Sequence, residues 1–298
     1  SSIVELAQAL NAASNPQDQY AWIDPGVDRI GSDAIRVGML YRTQRVAPLG
    51  QAEMLDATVD DLFDAVKNRP SLAQRFHEPA SGASFTLVAN HFKSKASSCA
   101  ASGDPDLGDG QGDCNLTRTQ AAQALLAWLH RRFLHQPILI MGDLNAYAKE
   151  DPIRTITQDG FVNLLEEYLG EQAYTYVFNG ESGYLDHALA NPSLAAAVTA
   201  IRIWHINADE PEVLDYHATS RSTDSLLFNA DAYRSSDHDP VIVELNLAQM
   251  DLKNQTSSGG GSLTWLCLIV MIMYYFFSRL RGILGNTRLK KSCNTRKL

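Results

Sequence analysis

Residues 137–146 read Pro-Ile-Leu-Ile-Met-Gly-Asp-Leu-Asn-Ala, and this stretch decides how the rest of the chain is read. The apolar run from Ile138 to Met141 suits a buried strand. Asp143 and Asn145 follow two residues apart, a spacing that puts both side chains on one face. A carboxylate and an amide delivered at the end of such a strand can hold a hard cation or its water. The amide can also donate to a phosphate oxygen. Taken alone, the pair equally suits a loop Asp and an Asn cap.

On either side, periodicity predicts helices over 2–10, 117–134 and 161–169, and strands over 34–41, 84–91, 174–178, 184–189 and 241–247. Ser2 and Glu5 form a capping box for the first helix. Strands outnumber helices without alternating strictly with them. That favours an α+β sandwich of two sheets flanked by helices over a doubly wound parallel sheet.

The chain of 298 residues, 45% hydrophobic and 20% charged, has ordinary globular composition. Its charge is uneven. Seven of the 25 basic residues lie between Arg279 and the end, and the remaining 18 face 34 acidic ones. An acidic body is a poor non-specific nucleic-acid binder, so a phosphate substrate would need cations and a local basic patch.

Cys99 and Cys114 bracket a Gly/Asp-rich loop with little core of its own. A disulfide closing it is the natural reading, against two free thiols, and implies an oxidising compartment. Asp104, Asp106, Asp109 and Asp113 only partly imitate a calcium loop, so a solvated, closed loop is the preferred reading there. After residue 247, residues 248–262 read as a polar Gly/Ser-rich linker, 263–278 as a transmembrane segment and 279–298 as a basic cytoplasmic tail.

Three further clusters carry chemistry. Ser236-Asp237-His238-Asp239-Pro240 sets a carboxylate beside an imidazole at a strand entrance. Asn90-His91, followed by Lys93 and Lys95, places an imidazole and two cations where a strand emerges. Tyr184-Leu185-Asp186-His187 interrupts an apolar strand with a polar pair, and His187 there is more often structural than catalytic.

NHFKSK, GDLNA, YLDHALA and SDHDPV, in this order, resemble the endonuclease/exonuclease/phosphatase superfamily, with its deoxyribonuclease-I-like fold. The Cys-bracketed loop before NLTRTQAAQAL resembles bacterial extracellular nucleases. Over residues 1–247 the resemblance implies a four-layer α/β/β/α sandwich of two mixed sheets and metal-assisted phosphodiester hydrolysis. Carried over, Asp143 binds or orients the attacking water and Asn145 holds the scissile phosphate. Asp237 ligates a divalent cation together with Asp143 and Asn145: Mg²⁺ first, with Ca²⁺ or Mn²⁺ as alternatives. His238, paired with Asp186, is a base or electrostatic stabiliser, and His91 contacts the phosphate. Lys93, Arg118, Tyr41 and Arg42 are candidate substrate contacts, and Arg36 a further one.

The same resemblance implies two earlier strands, one bearing an Asn and one a metal-binding Glu. Neither precedes Ser1, and Glu5 on its helix is a poor substitute. The chain as it stands is therefore expected to bind metal weakly and hydrolyse slowly. Gly259-Gly260-Gly261, the apolar segment and the Arg-rich end are similar to GlyGly-type sorting signals cut by rhomboid-type proteases. The expected partners are thus DNA or RNA, a membrane and a sorting protease, and the expected location is the bacterial surface or beyond. A lipid or inositol phosphatase of the same fold, or an inactive surface-anchored binding module, are the competing readings.

Overall fold

A computed structural model describes residues 2–214 and 231–250. The expected apolar segment at 263–278, the basic tail and all but the first three residues of the expected linker lie outside them. Among the described residues no helix is long and apolar enough to cross a membrane.

In chain order the elements are α1 (Ser2–Ala13), β1 (Tyr20–Trp22), β2 (Leu40–Arg42), β3 (Ala47–Leu55), β4 (Arg69–His77) and β5 (Ser84–His91). Then come α2 (Asn115–Arg132), β6 (Ile138–Asp143), α3 (Asp151–Gln158), β7 (Val162–Asn163) and α4 (Leu164–Leu169). The last are β8 (Tyr176–Phe178), β9 (Glu181–Gly183), β10 (Asp186–Ala190), α5 (Pro192–Ala195), β11 (Val198–Ile203) and β12 (Val241–Leu245).

A six-stranded mixed sheet in the order β3-β4-β5-β6-β10-β7 forms the centre. Among the described strands only β5 and β6 run parallel, and α2 supplies the crossover between them. Alternation along β6 explains why two layers cover this sheet. Ile138 and Ile140 face one core with Trp128, Leu125 and Leu129 of α2 and Ile153 and Ile156 of α3. Leu139 and Met141 face a second core with Leu164 and Leu165 of α4, Val198 and Ile201 of β11, and Val243 of β12. Trp128 and Leu125 are buried, and burying each such side chain contributes about 2–3 kcal/mol.

Two expectations need correction. The second layer is not one mixed sheet among the described residues, but the separate pairs β1-β2 and β11-β12, with β8-β9 a third. Three-residue β1 and β2 are too short to extend a ladder. The strand expected over 34–41 is also mostly loop, with pairing only at Leu40–Arg42. Side chains there turn back on the local backbone, Arg29 donating to the carbonyls of Ser32 and Asp33, and Arg36 to that of Asp33.

The cysteine reading holds: Cys99 and Cys114 are joined by a disulfide. Asp104 caps α2, accepting from the Leu116 and Thr117 amides and the Thr117 hydroxyl. Asp113 accepts from Ser98 Oγ and the amides of Cys99 and Asp106. These carboxylates are spent on the loop's own donors.

Candidate active site

Sheet register assembles the site. His91 at the end of β5 lies opposite Asp143 at the end of β6, and Asp143 lies opposite Asp186 at the start of β10. On the far side of His91, the register continues to Arg69 at the start of β4. Four chemistry-bearing residues thus form one row across four neighbouring strands.

Gly142 makes the row possible. Its φ of +122° is hard for an L side chain, and a Cβ there would lie 2.1 Å from the Asn90 carbonyl oxygen. Asn145 follows with φ 48°, a left-handed conformation that Asn tolerates. Its amide N and Nδ2 donate to Asp143 Oδ1 (2.7 Å) and Oδ2 (2.8 Å), and Nδ2 also donates to the Phe92 carbonyl.

Around the row the imidazoles differ. His91 Nε2 lies 3.4 Å from Asp143 Oδ2. Burial, with the nearby charges of Arg69 and His238, pulls its pKa down to about 4, so the ring is neutral at pH 7 and the contact is not an ion pair. His238 Nδ1 donates to Asp186 Oδ2 at 2.6 Å, and its ring leans on Tyr176 with centroids 4.6 Å apart. Burial opposes its charge, but the hydrogen bond to Asp186 and the charges of Asp186, Asp143 and Asp237 raise it to about 9. Burial followed by the Asp186 charge pushes Asp143 up to about 7 against the pull of His238. A cleft of about 380 Å³ borders His91, Asp143 and Asp186, with Arg36–Gly38 and Asp239–Val241 as other walls.

His91, Asp143, Asn145, Asp186 and His238 are therefore gathered. The expected metal set is not. Asp237 is exposed beside His238, and Asn145 turns an N–H donor rather than an acceptor toward Asp143. Among the described residues no group of three or more His, Cys, Asp or Glu is placed to hold a metal. Glu5 is exposed on α1.

The substrate candidates divide. Burial, reinforced by the like charges of Arg69 and Lys67, lowers the pKa of Lys93. Lys95 is instead paired with Glu150 and lies over the Tyr147 ring. Arg118 must be withdrawn as a substrate contact. It is 0% exposed, and its guanidinium donates to the carbonyls of Lys93, Gln111 and Asp113, clamping the disulfide loop to the segment that follows β5. Tyr41 packs against Phe76, while Arg42 is held by Tyr20 and Asp18. Neither lines the cleft; Arg36 does.

His187 is structural: its buried ring bonds the Ala146 carbonyl at 2.8 Å, and burial holds its pKa near 4. Sequence reasoning missed Arg69, which donates to the Phe92 carbonyl and pairs with Asp33 at 2.9 Å. It also missed Thr175, whose hydroxyl donates to Asp186 Oδ2 at 2.7 Å. Neither carries a local signal; both become visible through strand register and the fold.

Residues 104–238 match the family model described as Endonuclease/Exonuclease/phosphatase family. No curated protein matches the chain by sequence. Among solved structures, an endonuclease/exonuclease/phosphatase from Bacteroides vulgatus is 18% identical with a TM-score of 0.50, over 80% of each chain. A mannosyl-6-phosphatase from Bacteroides thetaiotaomicron is 17% identical with a TM-score of 0.50, over 82% of each chain. D. rerio TDP2, complexed with single strand DNA product, is 15% identical with a TM-score of 0.50, again over 82% of each chain. At these identities the three share a fold with this chain. The match and the fold agree with the superfamily that the four motifs resemble.

Proposed function

We propose that this protein is a metal-dependent phosphodiester hydrolase, a nuclease acting on DNA or RNA outside the cytoplasm. The observation that carries the reading is the in-register row His91–Asp143–Asp186, with His238 bound to its end.

In this reading Asp143, poised near neutrality, takes a proton from the attacking water. His238 enters as a cation, which suits it to stabilise negative charge developing on the phosphate rather than to act as a base. Neutral His91 offers one ring N–H to a phosphate oxygen or to the leaving oxygen, with the Arg69 charge behind it. A divalent cation would neutralise phosphate charge and lower the pKa of water. The described residues form no cage for one.

The disulfide supports placement in an oxidising compartment. Surface anchoring through 263–278 and processing by a rhomboid-type protease belong to the same proposal, as does the kinship with bacterial extracellular nucleases. The test is hydrolysis of single-stranded DNA, duplex DNA and RNA with Mg²⁺, Mn²⁺, Ca²⁺ or EDTA, beside sugar and inositol phosphates. Cation-dependent release of nucleotides is expected. Turnover confined to the phosphomonoesters would establish a phosphatase instead, and binding without turnover on any substrate would leave a binding module.

A further inference from the structure

We propose that Thr175 is a positioning residue, fixing the Asp186–His238 pair through its hydroxyl and its main-chain carbonyl. The proposal rests on the hydrolytic reading above. Thr175 is fully buried just before β8. Its hydroxyl donates to Asp186 Oδ2 at 2.7 Å, the same oxygen that takes the His238 Nδ1 proton at 2.6 Å. Its carbonyl accepts the Asp239 amide at 2.8 Å, one residue from His238. One residue therefore holds both the carboxylate and the backbone carrying its imidazole partner.

The surroundings make this arrangement stiff. Thr175 N donates to the Gly183 carbonyl, anchoring it across the β8-β9 hairpin. Asp239 is buried and accepts from the amides of Ile206, Asn207 and Ala208 and from His205 Nδ1. Asn207 Nδ2 returns to the His238 carbonyl at 2.7 Å. The backbone at 238–239 is thus pinned to Thr175 on one side and to residues 206–208 on the other.

The side chain is less constrained than that backbone. A carboxylate turns easily about its terminal torsion, which has broad minima. Two donors converging on Oδ2 set its angle, and one of them is the imidazole whose position matters. The Thr175 hydroxyl is the donor fixed independently of His238, on a β-branched side chain with few rotamers. It therefore defines where Asp186 points, and Asp186 defines where His238 points.

The experiment compares Thr175→Val, which keeps the shape without the hydroxyl, with Thr175→Ser, which keeps the hydroxyl. Two readouts are used: steady-state hydrolysis of single-stranded DNA, and the downfield proton resonance of His238 Nδ1. For Thr175→Val we expect kcat to fall about tenfold with KM unchanged, the size of one charge-assisted hydrogen bond lost. The Nδ1 resonance should be lost to exchange with water, and Thr175→Ser should restore both readouts.

A Thr175→Val protein that keeps the resonance and kcat overturns the proposal. So does a Thr175→Ser protein that fails in the same way as Thr175→Val, because the methyl rather than the hydroxyl would then be at issue. Should Thr175→Val not fold, Thr175→Ala is read by the same criteria. If the wild-type protein turns over no substrate, the hydrolytic reading fails, while the resonance still decides whether Thr175 orders the pair.

Discussion

His91 and His238 stand on opposite sides of Asp143, and their surroundings push them apart. Both are largely buried, which alone would keep each neutral. At His91 burial is joined by the Arg69 and His238 cations, which outweigh the opposing pull of Asp186 and Asp33, and its pKa falls to about 4. Beside His238 stand three carboxylates, Asp186, Asp143 and Asp237, and they outweigh burial to raise it to about 9. Different charged neighbours give one residue type two protonation states at pH 7. One imidazole keeps a free lone pair, while the other is a donor at both nitrogens.

The largest test of this contrast removes the group between the rings. Asp143→Asn keeps the shape but cannot take a proton, and turnover should fall by about 10²–10⁴. The melting temperature should fall only slightly, because the amide loses one of the two acceptors that Asn145 uses, while the buried site already disfavours the charged carboxylate. A variant that retains most of its DNA hydrolysis would remove Asp143 from the chemistry.

Next in size is a stability comparison. His238→Gln takes the cation from Asp186 and leaves its half-buried charge uncompensated, a loss of about 3 kcal/mol. His91→Gln removes a neutral ring from a long 3.4 Å contact and should cost under about 1 kcal/mol. Urea denaturation of both proteins checks this, and equal losses would erase the contrast.

Stability against pH gives a smaller effect. Asp143 near 7 and His238 near 9 hold protons in the fold that the unfolded chain releases earlier. Their contributions are lost as pH rises through those values. His91 and His187, near 4 in the fold, stay neutral where the unfolded chain is protonated, so theirs are lost as pH falls from 6.5 toward 4. Below pH 6.5 the two histidines outweigh the one aspartate, and between 7 and 9 only His238 remains. Unfolding free energy should peak near neutrality and fall on either side, by about 1.4 kcal/mol per pH unit for one net proton. A monotonic profile would contradict the assignments. The smallest effect is expected at Arg42→Ala, which should leave hydrolysis unchanged, since Arg42 is held by Tyr20 and Asp18 away from the cleft.

Much of the centre was legible because its signals are local. β5, α2 and β6 announce themselves through apolar runs and helical spacing, and the structure shifts their ends by only a few residues. β3 and β4 carry no clear strand signal in the sequence. In β4, Arg69 and Pro70 precede a run holding Ser71, Gln74 and Arg75, which gives no clean alternation. That failure also hid Arg69 from the site. For Arg118 the sequence itself holds the correction. Ala121, Ala122 and Leu125 follow it at three, four and seven residues, so it shares their buried face. Thr175 was out of reach, because only the folded chain brings it to Asp186.

Gly142 bears on anyone who would redesign this protein. Its missing side chain sets the spacing between the Asn90 carbonyl and the backbone of β6. A single methyl would act as a wedge between two parallel strands and slide His91 relative to Asp143. A library meant to retune substrate choice can diversify Arg36, Lys93 or Tyr176, but position 142 belongs outside the randomised set.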